Sequence, residues 1–421
     1  MLVCNGRVVD PTQHLDGILD LRIRDGLIAE LGEHLAPDGE EEILDARGAY
    51  VAPGFIDMHV HLRDPGQPEK ESVATGTAAA LAGGYAAVAC MPNTLPALDE
   101  AALVRRVAAD PRARCRVYPI AAITRARKGT EILDYDALAR GGAVAFSDDG
   151  NTVMDAGVLS TAATAALGTR GCFISHCEDD RLKGNGVMND GALSHELGFA
   201  GSCAASEDIV VARDLLIAAA TGKRWHMAHL STRGSIELMR WARSRGNHAT
   251  CEVTPHHLLL QEDAIREFGS GAKVNPPLRA EDDSRALRDG VRDGTVDAFA
   301  SDHAPHERSA KTVALPDAAA GFSGLEIAVG AYAAALPDLP VARFVELLSC
   351  NPARILGVAG GTLAVGAPGD VTIFADRPWV VDPDRFHSKG KNTPFAGRRL
   401  PRRAVATIVG GRVRMAGGLL R

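Results

Sequence analysis

Short apolar segments alternate with helical segments through most of this chain, and that alternation restricts its fold more than any other feature. The apolar runs include residues 86–90, 117–120, 143–146, 172–175 and 297–300, and the helical stretches include residues 101–109, 207–220 and 235–244. Strands that alternate with helices of this length indicate βαβ units around a parallel sheet. The number of repeats between residues 51 and 356 predicts an α/β protein with a closed (β/α)8 barrel, the TIM-barrel architecture.

The two ends of the chain follow a different pattern. Short apolar segments separated by Gly and Asp occur at residues 2–9, 17–23, 26–31, 369–374 and 404–411. Such spacing is typical of a small antiparallel sheet. We therefore expect one β-sandwich domain built from residues 1–52 and 357–421, beside a barrel domain of residues 53–356.

Composition argues against several classes of function. The chain has 46 basic and 53 acidic residues, a net charge of −7, and no Lys/Arg tract, which argues against nucleic acid as a partner. The N-terminus lacks the basic and apolar segments of a signal peptide, and no apolar stretch predicts a membrane span, so we expect a cytoplasmic protein. The eight cysteines are scattered without a C-x-x-C pair and are predicted to be free thiols.

Several of the apolar runs end in residue types that bind metal ions. The active site of a TIM barrel lies at the carboxyl ends of its strands. His59 and His61 are two residues apart on one predicted strand, so both point to the same side and can hold one ion. His176, His229 and Asp302 end three further runs. One such histidine is more often structural than a ligand, but several strand ends of this kind together favour a metal site.

Asp148 and Asp149 add two carboxylates at another strand end. An ordinary Asp-Gly turn is the alternative explanation for this pair. Four imidazoles and two carboxylates suit two divalent cations, with one Asp bridging them. Such cations lower the pKa of a water molecule and polarise a carbonyl oxygen, which is the equipment for amide hydrolysis.

Five motifs carry a resemblance to a known family. They are the segments at residues 53–66 (PGFIDMHVHLRDPG), 90–94 (CMPNT), 175–179 (SHCED), 274–279 (VNPPLR) and 301–306 (SDHAPH). In this order they resemble the bacterial type I dihydroorotases of the amidohydrolase superfamily. The resemblance extends from residue 53 to about residue 352 and to both sandwich halves. It implies reversible cyclisation of N-carbamoyl-L-aspartate to L-dihydroorotate and water, a step of pyrimidine (UMP) biosynthesis.

The resemblance also implies a metal centre with two zinc ions per subunit. By matching position, the ligands would be His59, His61, Asp149, His176, His229 and Asp302. The resemblance makes Asp302 both a ligand and the catalytic general base and acid. Asp149 is preferred to Asp148 as the bridging ligand because its spacing to His176 matches the family. Residues 142–150 contain no lysine, which favours the relatives bridged by Asp over those bridged by a carboxylated Lys.

Recognition of the substrate is predicted to depend on other residues. Dihydroorotate carries a carboxylate, and Arg63 stands two residues beyond His61, where its planar guanidinium could bind that group with two hydrogen bonds. A surface salt bridge from Arg63 to Asp64 or Glu69 is the alternative. Asn93 follows the next strand and could complete the contact. The resemblance assigns further substrate contacts to His61, Asn275, His306, Ala320 and Gly321.

Two other functions remain open at this stage. Another cyclic amidohydrolase, an allantoinase or a dihydropyrimidinase, would share the barrel and the metals, although Arg63, Asn93 and residues 275–277 fit the dihydroorotase pattern better. A non-catalytic scaffold for aspartate transcarbamoylase would be expected to have lost metal ligands, whereas this chain keeps all of them. The family implies a homodimer, and assembly with aspartate transcarbamoylase is possible.

Three more histidines and one loop call for separate expectations. Regular strand alternation predicts that His226 points away from His229, towards the helices. His256 and His257 are expected to support the site rather than to bind metal. Residues 307–320 follow Asp302 and are a candidate lid over the substrate.

Overall fold

The computed structural model describes all 421 residues, as 21 strands and 15 α-helices. The strands are β1 (Leu2–Asp10), β2 (Leu15–Arg24), β3 (Leu27–Gly32), β4 (Ile43–Asp45), β5 (Tyr50–Pro53), β6 (Phe55–Val60), β7 (Tyr85–Cys90), β8 (Arg116–Ala121), β9 (Ala145–Phe146), β10 (Cys172–Ser175), β11 (Met188–Asn189), β12 (Gly201–Ser202), β13 (Trp225–Met227), β14 (Thr250–Val253), β15 (Ala298–Phe299), β16 (Val371–Ala375), β17 (Trp379–Val380), β18 (Arg399–Leu400), β19 (Arg403–Val409), β20 (Arg412–Ala416) and β21 (Leu419–Leu420). The helices are α1 (Val73–Gly83), α2 (Ala101–Ala108), α3 (Tyr135–Arg140), α4 (Ala156–Ala165), α5 (Asp180–Lys183), α6 (Ala192–Leu197), α7 (Ala205–Thr221), α8 (Arg233–Ser244), α9 (Pro255–Leu259), α10 (Ala264–Phe268), α11 (Glu281–Arg292), α12 (Arg308–Lys311), α13 (Ala328–Ala335), α14 (Val341–Val345) and α15 (Asn351–Leu356).

Eight parallel strands form the predicted barrel. Their order is β6, β7, β8, β9, β10, β13, β14 and β15. A parallel bridge between Val60 and His303 joins the first strand to the residues after the last, and the His61 amide donates to the His303 carbonyl at 2.9 Å. The (β/α)8 prediction is confirmed, and so are the predicted helices in residues 101–109, 207–220 and 235–244.

The two faces of the barrel strands carry side chains of different size. The interior holds a cluster of small and aliphatic side chains that includes Ala87, Ala145 and Ile174. Large side chains such as Phe173 and Trp225 point outwards and pack in the main core beneath the helices. Both faces are buried, which explains why these strands read as continuous apolar runs rather than as an alternating pattern.

The ends of the chain form one nine-stranded sheet in the order β21, β20, β19, β16, β5, β1, β2 and β3, with β4 paired to β1. Side chains from both halves of this sheet, such as Val8, Ile23 and Ile373, share one core, so the sheet folds over on itself. The predicted β-rich domain from both termini is confirmed. Its limits at residues 52 and 357 stay a prediction.

One segment of the C-terminal part leaves this sheet and lies on the barrel. Residues 377–400, which we call the arm, include β17 and β18 and place Phe386 and Phe395 in a core with Phe322. The Ser323 amide donates to the Asn392 carbonyl at 2.9 Å, and the Asn392 side chain donates to the Gly321 carbonyl at 3.1 Å. The arm therefore supports the predicted substrate loop around Gly321.

Two further observations concern the cysteines and the hydropathy of the helices. All eight cysteines are free, as predicted. None of the helices combines the length and the hydropathy that a bilayer crossing requires.

Candidate active site

The six predicted metal ligands all lie at one opening of the barrel, which we call the mouth. Each follows or ends a strand: His59 and His61 at β6, Asp149 at β9, His176 at β10, His229 at β13 and Asp302 at β15. All six side chains are buried. The parallel arrangement brings these carboxyl ends together, so residues far apart in the sequence become neighbours.

Asp149 lies at the centre of this group. Its Oδ1 atom is 3.2 Å from His59 Nε2, 3.6 Å from His176 Nδ1 and 3.7 Å from His229 Nε2. Its Oδ2 atom is 3.6 Å from His61 Nε2. One carboxylate therefore faces four imidazole rings from different strands.

Asp302 approaches the same group from the opposite side. Its Oδ1 atom lies 3.1 Å from His61 Nε2 and 3.6 Å from His59 Nε2. Two sets of three residues have ligand atoms within 4.8 Å of one another: His59 with His61 and Asp302, and His59 with Asp149 and His229. The group could therefore hold a metal ion.

Three buried atoms in this group have no hydrogen-bond partner, namely His59 Nε2, Asp149 Oδ1 and His229 Nδ1. Buried polar atoms are almost always hydrogen-bonded, so unpaired ones need an explanation. Imidazole nitrogens and carboxylate oxygens that converge on one point are the donors preferred by zinc and related ions. The donor set fits a divalent cation.

The electrostatics of the mouth agree with that interpretation. Burial disfavours a charged Asp302, but the hydrogen bond from His61 and the nearby imidazoles outweigh it and lower its pKa. Burial likewise opposes charge on His59, yet Asp149 and Glu252 raise its pKa well above the ordinary value. The carboxylates therefore hold positive charge in their midst, as protons or as a bound metal.

The two adjacent carboxylates at β9 face in different directions. Asp148 accepts hydrogen bonds from the amides of Ile123 and Thr124 at 2.8 and 3.0 Å and from the Thr124 hydroxyl. Asp149 faces the histidines. Asp148 therefore shapes the loop after β8, and only its neighbour is within reach of a cation at the mouth.

Three of the histidines are held from behind by a second polar group. His59 Nδ1 lies 2.8 Å from Glu252, His176 Nε2 lies 2.8 Å from Glu178, and His61 Nδ1 lies 2.8 Å from Asn93. Such partners orient a metal-binding imidazole and select its tautomer. The sequence-based prediction missed both glutamates, although Glu178 lies within the quoted motif at residues 175–179.

A cavity of about 170 Å³ opens above the group. It is lined by five of the predicted ligands and by every predicted substrate contact: His61, Arg63, Asn93, Asp149, His176, His229, Asn275, Asp302, His306, Ala320 and Gly321. His59 lies beneath it. The structure thus brings all of the predicted site residues together.

Arg63 is buried in this cavity and does not lie at the surface. Its Nη2 atom is 3.4 Å from His306 Nε2, and its Nε atom has no partner. Burial lowers the pKa of the guanidinium to about 10, against the opposing influence of Asp302 and Asp149. The alternative of a salt bridge to Asp64 is not observed, because that carboxylate pairs with Arg112 at 2.8 Å.

Four residues around the mouth have a backbone φ in the left-handed region: Arg63 (56°), Arg127 (56°), His229 (32°) and Asp302 (46°). This region is unfavourable for residues other than glycine and is often occupied at functional sites. Arg127 was not predicted from the sequence. Its Nη1 atom donates to the Asp149 carbonyl at 2.6 Å, which helps to place the central carboxylate.

His226 does not point where strand alternation predicted. The prediction that it faces the helices is wrong, because its ring lies inside the barrel with Nε2 3.1 Å from Glu252. Trp225 and Met227 occupy the outer face, so the alternation itself is regular. The prediction assumed that strand alternation continues as far as His229. Strand β13 ends at Met227, and the φ of 32° at His229 turns the backbone there.

His256 and His257 are both buried close to the site. His257 is held by Thr254 at 2.7 Å and by the Pro276 carbonyl at 3.0 Å. His256 packs against Phe322 with ring centroids 4.8 Å apart. Their supporting role stays a prediction, and the two sets that could hold a metal include neither of them nor His176.

Comparison of the sequence with known families and proteins gives consistent results. Residues 48–235 match a family described as dihydro-orotase-like, and residues 261–415 match the amidohydrolase family. The chain is 45% identical to a dihydroorotase of Pelobacter propionicus over 98% of this chain and 99% of that protein. It is 46% identical to a dihydroorotase of Pelotomaculum thermopropionicum over the full length of both.

Solved structures with similar folds carry other names. An L-hydantoinase (dihydropyrimidinase) from Arthrobacter aurescens superposes with a TM-score of 0.88 at 24% identity, covering 100% of this chain and 97% of that one. A dihydropyrimidinase from Brevibacillus agri gives 0.86 at 19% identity, covering 100% and 95%. At this level of identity the likeness establishes the fold alone.

Proposed function

Because the chain belongs to the dihydroorotase family, and is therefore an enzyme that acts on a cyclic amide, we propose that it interconverts N-carbamoyl-L-aspartate and L-dihydroorotate in the pathway to UMP. The observation that carries this proposal is the buried guanidinium of Arg63, which shares one cavity with the imidazole and carboxylate group. A small cyclic amide bearing a carboxylate is the kind of ligand that both features would accept together.

Two zinc ions are the proposed cofactor. His59, His61 and Asp302 would hold one, His176 and His229 would hold the other, and Asp149 would lie between them. When bound, zinc supplies Lewis acidity, which lowers the pKa of water and withdraws charge from a carbonyl oxygen. The unpaired nitrogen of His59 and the unpaired oxygen of Asp149 support this assignment.

Asp302 is the proposed general base and acid. Its Oδ1 atom lies at the mouth, 3.1 Å from His61 Nε2, and an ionised carboxylate in this place can accept a proton from water. In the hydrolytic direction it would take a proton from the attacking water and deliver it to the ring nitrogen as the amide bond opens. In the biosynthetic direction the carbamoyl nitrogen would give its proton to Asp302 as the ring closes, and Asp302 would pass it to the departing hydroxide, which leaves as water.

The carboxylate of the substrate would bind to Arg63 and Asn93. Two parallel hydrogen bonds from a guanidinium to a carboxylate are strong and directional, and burial strengthens them. His306 is held in place by the Ala320 carbonyl at 2.9 Å. Gly321 has a φ of 119°, and a side chain there would collide with Ala304, so a glycine is needed at this wall of the cavity.

The other candidate functions fit the site less well. A dihydropyrimidinase acts on rings without a carboxylate, which would leave the buried charge of Arg63 without a partner. A non-catalytic scaffold would have no need for a complete set of ligands. We propose a cytoplasmic homodimer, and association with aspartate transcarbamoylase is a further proposal that follows from the family.

A substrate panel tests the proposed function. Purified protein loaded with zinc is assayed for hydrolysis of dihydroorotate, dihydrouracil and allantoin, with and without a chelator. We expect turnover of dihydroorotate in strong preference to the others, abolished by the chelator and restored by zinc. Faster turnover of dihydrouracil, or activity that survives complete removal of metal, would contradict the proposal.

A further inference from the structure

Glu252 lies directly beneath the predicted metal ligands and touches no substrate contact. It is on β14, and its carboxylate is fully buried inside the barrel. Its Oε1 atom is 2.8 Å from His59 Nδ1, and its Oε2 atom is 3.1 Å from His226 Nε2. His226 Nδ1 lies 2.7 Å from the Thr250 hydroxyl. A chain of hydrogen-bond contacts therefore runs from Thr250 through His226 and Glu252 to His59.

The charge of Glu252 is not balanced by a lysine or an arginine in contact with it. Its two carboxylate oxygens instead contact imidazole nitrogens, Oε1 that of His59 and Oε2 that of His226. Glu178, the corresponding partner of His176, differs in this respect because Lys183 lies 2.5 Å from it. Glu178 therefore shares its charge between His176 and a lysine, whereas Glu252 contacts imidazoles alone.

A buried carboxylate without a neighbouring cation destabilises a fold, and an apolar side chain would serve a purely structural purpose better. The contacts of Glu252 determine which ring nitrogen of His59 and of His226 carries a proton. An Nδ1 proton donated to Glu252 leaves the lone pair of a neutral His59 on Nε2, which lies 3.2 Å from Asp149 Oδ1. That Nε2 atom is buried and has no hydrogen-bond partner.

We propose that Glu252 is a positioning residue for the metal centre. It holds His59 in the tautomer that can bind a cation, and it supplies a carboxylate that no lysine or arginine contacts, which strengthens cation binding. His226 and Thr250 hold Glu252 in turn. This inference rests on the proposed function only because it requires the mouth to bind zinc. Glu252 and His226 would act on the metal centre and would not contact the substrate.

The substitution Glu252→Gln separates charge from shape. The amide keeps the size of the side chain, and its oxygen can still accept from His59 Nδ1. His226 can accommodate the new amide protons by moving its own proton to Nδ1, where the Thr250 hydroxyl accepts it. The fold is therefore retained, and what is lost is the negative charge.

Zinc affinity measured by competition with a chromogenic chelator is the primary test. We expect Glu252→Gln to bind the zinc at His59 about 10–100-fold less tightly than the wild type, the usual range for outer partners of metal ligands. The thermal stability of the metal-free variant should be equal to or above that of the metal-free wild type, because a buried charge has been removed. A purely structural residue would instead lower that stability and leave zinc affinity unchanged.

Asp214→Asn provides a matched control. Asp214, on α7, is also a buried carboxylate, but it contacts Arg213 and the Ser175 hydroxyl and touches none of the predicted ligands. Its variant should bind zinc as the wild type does. Wild-type zinc affinity in Glu252→Gln, or an equal loss in Asp214→Asn, would overturn the proposal.

The outcome is independent of the substrate assay. Failure of zinc-loaded wild type to hydrolyse dihydroorotate would refute the proposed function, yet the zinc affinities would still decide the role of Glu252. If Glu252→Gln does not fold, Glu252→Asp takes its place: the charge stays, but the shorter side chain cannot reach both imidazoles. Zinc affinity equal to that of the wild type in Glu252→Asp would also overturn the proposal.

Discussion

Buried charged groups occur both at the mouth of the barrel and where the terminal segments meet each other or the barrel, which we call the junction, and their hydrogen bonding differs. At the mouth, His59, Asp149 and His229 each leave one buried atom without a partner, and the Nε of Arg63 has none. These atoms all face one cavity or lie directly below it.

At the junction the buried carboxylates are saturated with hydrogen bonds. Asp10 accepts from the Leu363 amide at 2.6 Å, from the Gln13 side chain at 2.7 Å and from the Thr12 amide at 2.9 Å. Glu71 accepts from the Ser388 hydroxyl of the arm at 2.6 Å. Each of these groups ties two parts of the chain together.

The difference distinguishes binding sites from structural sites. A carboxylate whose oxygens are all occupied lowers the energy of one conformation and has nothing left to offer a ligand. A buried group with an unpaired atom costs stability, and this is offset when a cation or a substrate binds. Substitutions at the mouth should therefore lower catalytic activity or binding, and substitutions at the junction should lower the free energy of unfolding.

The largest effect is expected from Asp302→Asn. Loss of a general base and of one ligand oxygen should lower turnover of dihydroorotate by at least about 10³-fold. The fold should persist, because asparagine tolerates the left-handed backbone at this position. Steady-state kinetics at saturating zinc, combined with circular dichroism, would measure both quantities, and turnover within tenfold of the wild type would refute the assigned role.

The substitution Arg63→Met is expected to have the next largest effect. Removal of a charge-assisted contact with the substrate carboxylate is worth about 1.5–3 kcal/mol, so kcat/KM for dihydroorotate should fall by about 10–100-fold, mainly through KM. Hydrolysis of dihydrouracil, which lacks the carboxylate, serves as the control and should be unaffected. An equal loss with both substrates would show that the arginine shapes the cavity and does not read the carboxylate.

A junction substitution should show the opposite behaviour. Asp10→Ala removes the acceptor of the Leu363 and Gln13 groups and should lower the free energy of unfolding by about 2 kcal/mol. The kcat of the folded enzyme should stay at the wild-type value. Urea unfolding and steady-state kinetics on the same sample would measure both quantities. A loss of kcat in Asp10→Ala without a loss of stability would contradict the contrast between junction and mouth.

A fourth prediction concerns the pH dependence of stability. Glu326, whose side chain accepts from the His387 and Ser388 amides of the arm at 2.7 and 3.1 Å, has its pKa raised by burial from 4.5 to about 8. The folded state therefore retains a proton that the unfolded chain loses above pH 4.5, so this group weakens the fold as the pH rises towards 8. Glu326→Gln keeps both acceptor contacts and should make the melting temperature less sensitive to pH. The variant should match the wild type near pH 5 and melt above it at pH 8.5, and parallel melting curves across this range would exclude the effect.

Much of the fold and the composition of the site could be predicted because both depend on regular patterns. The alternation of strands and helices predicts a barrel, and a barrel places the ends of its strands at one mouth, so His176 and His229 could be grouped without knowledge of their distance. The choice of Asp149 over Asp148 needed the family resemblance, because the alternation of side chains stops where a strand ends.

The partners behind the ligands were beyond prediction from sequence patterns. Glu252 lies within a short apolar strand, and nothing in its neighbours distinguishes an inward carboxylate from an outward one. His226 was placed on the wrong face because the backbone turns just after β13. The contact of Arg127 with Asp149 likewise depends on local backbone geometry, and its loop has no periodic pattern.

The pairing of β5 with β16 has a consequence for how the protein is made. Val51 lies opposite Ile373 in that pair, so the terminal sheet cannot be completed until almost the whole chain has left the ribosome. The early strands must wait while the barrel assembles, with an unpaired edge open to other chains. A nascent polypeptide that stalls before residue 371 would therefore be a candidate for aggregation and for binding by chaperones.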